Sequence, residues 1–277
     1  MTIIKNITKF ITFSLLCGTL CVWGQDNREP ALVILHTNDT HSQIEPTNNK
    51  LGGVMRRKTA IDECRQKYPE TLLLDAGDFS QGTPYFNYFK GHAEVKFMNL
   101  MGYDAVVLGN HEFDNGSKTL AKRLKKAKFE TLCANFEFHY KKLQKLVKPY
   151  IILYRNGLKI GIFGLTVSLE KLVFPEIAKE VTYKDPVAVA QEITTLLRNQ
   201  EKCDMIICLS HLGYNIKGKA TTCDSLLAQD IPNIDIIIGG HTHSEKDTII
   251  NGVQVVQRGS KGESIGKLLI YKKEENE

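Results

Sequence analysis

Five short apolar runs, each stopping at side chains able to bind a metal ion or carry a proton, restrict this chain to few folds. They are Ala31 to Leu35, Thr71 to Leu74, Tyr103 to Leu108, Met205 to Leu209 and Asp235 to Ile238. Runs of that length lack the polar alternation of a half-exposed strand, which predicts strands buried on both faces. They stop at Asp39 and His41, at Asp78, at Asn110 and His111, at His211, and at His241 and His243. In an open α/β sheet, side chains just past the strand C-termini share one crevice, where such folds bind ligands. Five of the eight histidines stand at these ends, which random scatter would not produce.

Helical patterns separate the runs. Gly53 to Tyr68, Ala93 to Met101, Gly116 to Lys128 and Pro186 to Asn199 each carry an apolar stripe or helical charge spacing. Gln81 to Pro84 reads as a turn opening a short helix. Thr131 to Asn135 adds a short strand, and Asn156-Gly157 joins Tyr150 to Tyr154 and Leu158 to Leu165 as a two-residue hairpin turn. Gly252 to Arg258 and Lys267 to Tyr271 close the α/β pattern. No linker interrupts it, and 277 residues with 42% apolar content suffice for one sizeable domain.

The first 24 residues read as a targeting segment. Lys5 and Lys9 precede the apolar run Phe10 to Trp23, and Val22 and Gly24 fit the small-residue positions of a cut before Gln25. The run falls short of the about 20 residues a membrane span needs. Residues 25–277 are therefore expected to be exported, periplasmic or extracellular, with no stable membrane insertion after cleavage. A lipid anchor on Cys17 or Cys21 fits less well, because Leu16 and Leu20 stand where a lipoprotein signal prefers a small residue. Cleavage would leave Cys64, Cys133, Cys203, Cys208 and Cys223, with no CxxC or CxxH spacing for a thiolate zinc site. The formal charge is +5, and Lys122 to Lys128 follow helical spacing as a solvated face, so no nucleic-acid polymer is expected as a partner.

Carboxylates, neutral imidazoles and one amide oxygen form a donor set for two divalent metals. Asp78 could bridge ions the ~3.5–4 Å apart that two-metal hydrolysis uses. The spacing of Asp39 and His41 puts both side chains on one side of an extended segment, and His241 and His243 repeat it. Gly77, Gly109, Gly239 and Gly240 would admit close backbone approach and positive φ. Taken singly, each of these residues is an ordinary cap or turn residue; together they have no such simple explanation.

The chain resembles the metallophosphoesterase superfamily and, within it, the amino-terminal domain of the 5′-nucleotidase family. The matching blocks are HTNDTH (His36 to His41), DAGDFSQGTP (Asp75 to Pro84), MNLMGYDAVVLGNHEFDNG (Met98 to Gly116), LSHLG (Leu209 to Gly213) and GGHTH (Gly239 to His243). The resemblance implies a four-layer α/β/β/α sandwich with two mixed sheets. It implies Asp39, His41 and His243 as ligands of one metal, Asp78 as the bridging carboxylate, and Asn110, His211 and His241 as ligands of the second. His111 matches the family's catalytic histidine, and Asp114 the carboxylate that orients it. The ions would be zinc, manganese, magnesium, cobalt or iron.

The chemistry agrees with that assignment. Two metals give a hydroxide nucleophile near neutral pH. If strand alternation continues, His111 points away from Asn110 and is free to donate a proton to the phosphate or the leaving group. Glu112 points elsewhere and is assigned a structural place. The expected activity is hydrolysis of nucleotide phosphomonoesters. Alternatives are a 2′,3′-cyclic-nucleotide phosphodiesterase, a nucleotide-sugar or dinucleotide pyrophosphatase, a sulfur-ester hydrolase, a non-catalytic binding subunit and a membrane-tethered scaffold. Full-length family enzymes carry a carboxy-terminal domain with most nucleoside contacts. Its absence from this sequence leads to the expectation of a separately encoded substrate-binding domain.

Overall fold

Alternate burial along each strand decides the architecture. Leu32 and Ile34, Leu72 and Leu74, and Ala105 and Val107 face one apolar cluster, while Leu35, Leu73 and Val106 between them face another. Ile207 and Leu209 enter the first cluster from a second sheet, and Ile206 and Cys208 turn away from it. A strand with apolar residues on both faces must be covered on both. The computed structural model of the chain meets that demand with two sheets packed face to face and helices on each outer side. The helices Val54–Lys67 and His92–Met101 cover the first sheet through Val54, Ile61, Val95 and Met98. Pro186–Thr195 and Asp224–Asp230 cover the second through Ala190, Ile193, Leu227 and Ala228. This is the four-layer α/β/β/α arrangement with two mixed sheets.

The structure describes residues 29–215 and 222–272, with the backbone of a two-residue strand, Ile3–Ile4. Apart from that strand, the targeting segment expected over residues 1–24 lies outside the described residues. Among the described residues no helix is long and apolar enough to cross a membrane.

The first sheet runs Ile3–Ile4, Gly266–Lys272, Leu32–Thr37, Leu72–Asp75, Ala105–Val107, Glu130–Leu132, Val147–Lys148 from edge to edge. Its last five strands are mutually parallel, and Gly266–Lys272 is antiparallel to Leu32–Thr37. The second runs Glu245–Ile250, Val253–Arg258, Ile236–Gly239, Met205–His211, Leu158–Thr166, Tyr150–Arg155. Its four central strands are parallel and its edges antiparallel. The expected hairpin is present, with Asn156 and Gly157 both at positive φ, 48° and 76°. A small third sheet pairs Phe136–Phe138 with Val181–Tyr183.

Register then levels the strand ends. Thr37 lies opposite Asp75, and Ser210 opposite Gly239. The five polar terminators consequently emerge at one edge of the sandwich. The buried Thr166 and Asn135 bind the two sheets beneath them: Thr166 Oγ1 donates to Leu108 O at 2.6 Å, and Asn135 Nδ2 donates to Thr166 O at 2.7 Å.

Candidate metal centre

Backbone hydrogen bonds continue past the strand ends and fix the loops. Asp39 N–H donates to Gly77 O at 2.9 Å and His41 N–H to Asp78 O at 3.0 Å. From the other sheet, His241 N–H reaches both carboxylate oxygens of Asp39 at 3.0 Å. One buried carboxylate thus joins the two sheets' loops.

Asp39, His41, Asp78, His241 and His243 all have left-handed backbone, with φ of 48°, 46°, 55°, 72° and 49°. Asp, Asn and His tolerate this region better than most side chains. The extended segment expected for Asp39 and His41 is therefore absent, and their side chains converge through a tight turn instead. Of the four glycines singled out, only Gly77 has positive φ, 89°. Gly240 is required for space, because a Cβ there would stand 2.8 Å from His211 Nδ1 and 2.7 Å from Ala76 O.

Three groups of side chains bring their ligand atoms within 4.8 Å of one another: Asp39, His41 and His243; His41, Asp78 and His111; Asp78, His211 and His241. The groups share His41 and Asp78, so they form one continuous cluster. His41 Nε2 lies 2.9 Å from His243 Nε2, and His243 Nε2 lies 3.4 Å from Asp39 Oδ1. Two imidazole nitrogens facing each other beside a carboxylate suit a shared cation. His211 is fully buried, its Nδ1 pinned at 2.6 Å to Ala76 O. That bond places a proton on Nδ1 and turns Nε2 toward Asp78 Oδ2 at 3.0 Å, where a bound cation would displace the Nε2 proton. Asn110 is buried, and its Oδ1 has no hydrogen-bond partner among the described residues. Converging imidazole and carboxylate ligand atoms, with a buried amide oxygen left unsatisfied nearby in sequence, are what a divalent ion would suit, so the residues fit the implied metals.

The charges on the cluster are unequal. Burial, then the charge of His211, hold His241 down at about 4, and burial chiefly lowers His41. Burial also opposes a charged His211, but Asp78 and Asp39 outweigh it and hold it up at about 10. Exposure is graded as well: His243 is 47% exposed while His211 and Asp39 are closed off, so the cluster opens on the His243 side.

His111 and Asp114 lie at this mouth. The segment His111–Phe113 is a single 3-10 turn, so strand alternation does not apply to it. His111 Nδ1 donates to Asp114 Oδ2 at 2.9 Å, and the ring lies 5.4 Å from that of His41. Because His111 also falls within ligand distance of His41 and Asp78, its separation from the metal ligands rests on the pairing with Asp114, not on alternation. Burial works against its charged form, but Asp114 and Asp78 raise its pKa.

Around the cluster, Glu112 was assigned a structural place from the sequence without its partners, and Arg123, Asp224 and Thr242 escaped notice. Glu112 lies wholly inside and accepts three backbone N–H groups, from Asp78 at 2.9 Å, Gly109 at 2.7 Å and Ser80 at 3.0 Å. Arg123, embedded among lysines, is fully buried and donates to Glu112 O. Asp224 is buried behind His211 and accepts from Ser210 Oγ; burial pushes its carboxyl up to about 8. Thr242 Oγ1 accepts from Tyr214 N–H and donates to Gln257 Oε1, both at 3.1 Å, bracing the loop between His241 and His243. The five described cysteines are free thiols, and Cys208 is buried among apolar side chains.

Comparison with known proteins agrees with the fold. The family model for calcineurin-like phosphoesterases matches residues 32–245. A 5′-nucleotidase of Diplobatis ommata is 38% identical over 244 residues, which is 83% of this chain and 41% of that protein. Protein UshA of Yersinia enterocolitica is 31% identical over 279 residues, 90% of this chain and 50% of that protein. The structure of a 5′-nucleotidase precursor from Thermus thermophilus superposes with a TM-score of 0.75 at 33% identity, covering 85% of this chain and 50% of that one. The chain thus spans about half or less of the length of these three relatives.

Proposed function

Because the chain belongs to the calcineurin-like phosphoesterase family, we propose that it hydrolyses nucleotide phosphomonoesters at a centre of two divalent metal ions. The observation that supports this reading is the cluster itself, in which ligand atoms of Asp39, His41, Asp78, His211, His241 and His243 fall in overlapping groups within 4.8 Å of one another. Asp39, His41 and His243 would hold one ion and Asn110, His211 and His241 the other. Asp78 presents Oδ1 to His111 N–H at 2.9 Å and Oδ2 to His211, and would face both. Bound there, divalent ions supply water activation and neutralisation of phosphoryl charge.

The chain's own side chains provide the rest. Asp114 holds the His111 ring and fixes its Nδ1 proton, leaving Nε2 for the substrate. From there His111 can donate to a phosphoryl oxygen as charge builds, or to the departing alkoxide. The loops that carry these groups are tied to two rigid sheets, which limits loss of alignment.

The test is a substrate panel on protein supplemented with manganese, zinc or cobalt: nucleoside monophosphates, 2′,3′-cyclic nucleotides and dinucleotides. Phosphate release from nucleoside monophosphates at rates well above the other classes is expected. No release from any of them by protein shown to hold two ions would refute the reading. Running the panel with and without a 5′-nucleotidase carboxy-terminal domain tests whether residues outside this chain set base selectivity. Export is part of the same proposal, with Gln25 as the mature terminus by mass spectrometry.

A further inference from the structure

We propose that Glu112 is a positioning residue that sets the orientation of Asp78, and through it the affinity and alignment of the metal centre. The inference rests on the metal-centre reading above and concerns a side chain that is not one of its ligands.

Glu112 has no solvent exposure, and among the described residues its carboxylate is hydrogen-bonded only by backbone N–H groups. Its oxygens are taken up by backbone alone: Oε2 by Asp78 N–H and Gly109 N–H, Oε1 by Ser80 N–H. Those donors come from two loops, one at the end of the strand Leu72–Asp75 and one at the end of Ala105–Val107. The same loops carry Asp78 and Asn110. Glu112 therefore spans them from beneath.

The connection is reciprocal. Glu112 holds the backbone of Asp78, and Asp78 Oδ1 accepts the N–H of His111, the residue preceding Glu112. This closed ring of hydrogen bonds commits one oxygen of Asp78 to the His111 loop and turns the other toward His211. Packing leaves little freedom for any other arrangement, since a Cβ on Gly109 would lie 2.2 Å from Asp78 Oδ1. Arg123 fastens the outer side of the ring by donating to the main-chain oxygen of Glu112. A buried carboxylate that only filled space would not need donors from both ligand-bearing loops. Charged acceptors of backbone N–H groups are also the strong kind, which suits a brace.

Glu112→Gln tests the idea, because it keeps the size but puts an NH2 where one of the three N–H donors points. Mn²⁺ binding to folded protein is measured by calorimetry and by chelator competition, alongside thermal melting without metal. Affinity for at least one ion should fall about 10–100-fold, the range seen when residues that orient metal ligands are altered. At saturating Mn²⁺, kcat on a nucleoside monophosphate should fall with KM little changed. Glu180→Gln is the control: Glu180 accepts Ser117 N–H at 2.6 Å at the start of the following helix, and among the described residues its carboxylate has no hydrogen bond to a ligand loop. It should lower the melting temperature while leaving Mn²⁺ affinity intact.

Mn²⁺ affinity within twofold of the unsubstituted protein for both ions in Glu112→Gln, with only the melting temperature lowered, would overturn the proposal. Glu112→Asp, which keeps the charge but is too short to span the three donors, gives the same readout if the Gln variant does not fold. Unsubstituted protein that binds no Mn²⁺ would instead refute the metal-centre reading.

Discussion

Replacing Arg123 by methionine should destabilise the protein by about 3 kcal/mol, and the size of that loss can be argued from its surroundings. The residue sits at zero exposure on the helix Gly116–Leu124. Its guanidinium donates to Glu112 O and, at 3.4 Å, to Lys90 O, and lies over the rings of Phe79 and Phe86 at 5.9 and 5.8 Å. Methionine replaces the aliphatic stem, so little packing is lost. What goes is the donor to a buried carbonyl, about 1–3 kcal/mol, and the cation that faces Glu112 and Glu94. Removing one member of a buried charge pair costs about 3–5 kcal/mol. The lower end applies, because Glu112 keeps its three backbone donors. Urea unfolding in metal-free buffer at pH 7 measures the loss directly. At about 2–4 °C per kcal/mol for a protein of this size, the melting temperature should fall by about 6–12 °C. A loss below about 1 kcal/mol, or a gain, would show that Arg123 is held by packing and not by charge.

Two further outcomes are expected. His111→Ala should retain its divalent ions by metal analysis while kcat falls about 10²–10⁴-fold, as for loss of an acid or a charge-stabilising group; loss of bound metal in that variant would make His111 a ligand. Asp224 binds its proton more tightly in the folded protein, up to about 8, than in the unfolded chain at 3.8. Between those values the folded state carries the extra proton, so its stability falls as pH rises and levels off above 8. Metal-free protein compared with Asp224→Asn from pH 5 to 8 by urea unfolding should show a widening disadvantage for the unsubstituted chain, and parallel curves would count against a buried neutral Asp224.

The strands bearing the cluster were legible because burial on both faces leaves an uninterrupted apolar run, and because polar side chains stop each run abruptly. The strand Met205–His211 follows that rule and ends on its own histidine. The strands Phe136–Phe138, Val181–Tyr183 and Glu245–Ile250 were not foreseen. They are short or lie at sheet edges, where exposed residues alternate with covered ones and no apolar run forms. Spacing brought Asp39 and His41 together on paper through an extended backbone, whereas the fold does so through left-handed turns that a residue count does not report. The partners of Glu112 and Arg123 were out of reach for a related reason. Each acts on main-chain atoms, and nothing in the identity of Asp78, Ser80 or Gly109 announces that its N–H needs an acceptor.

The left-handed backbone at Asp39, His41, Asp78, His241 and His243 bears on how this protein could be engineered. Glycine occupies that region without the roughly 1 kcal/mol or more that a side chain pays there. A library screened for heat resistance alone would thus be drawn toward glycine at those five positions, and its hardiest members would be the ones with no centre left. Directed evolution of this scaffold therefore needs metal retention as a second selection from the first round onward.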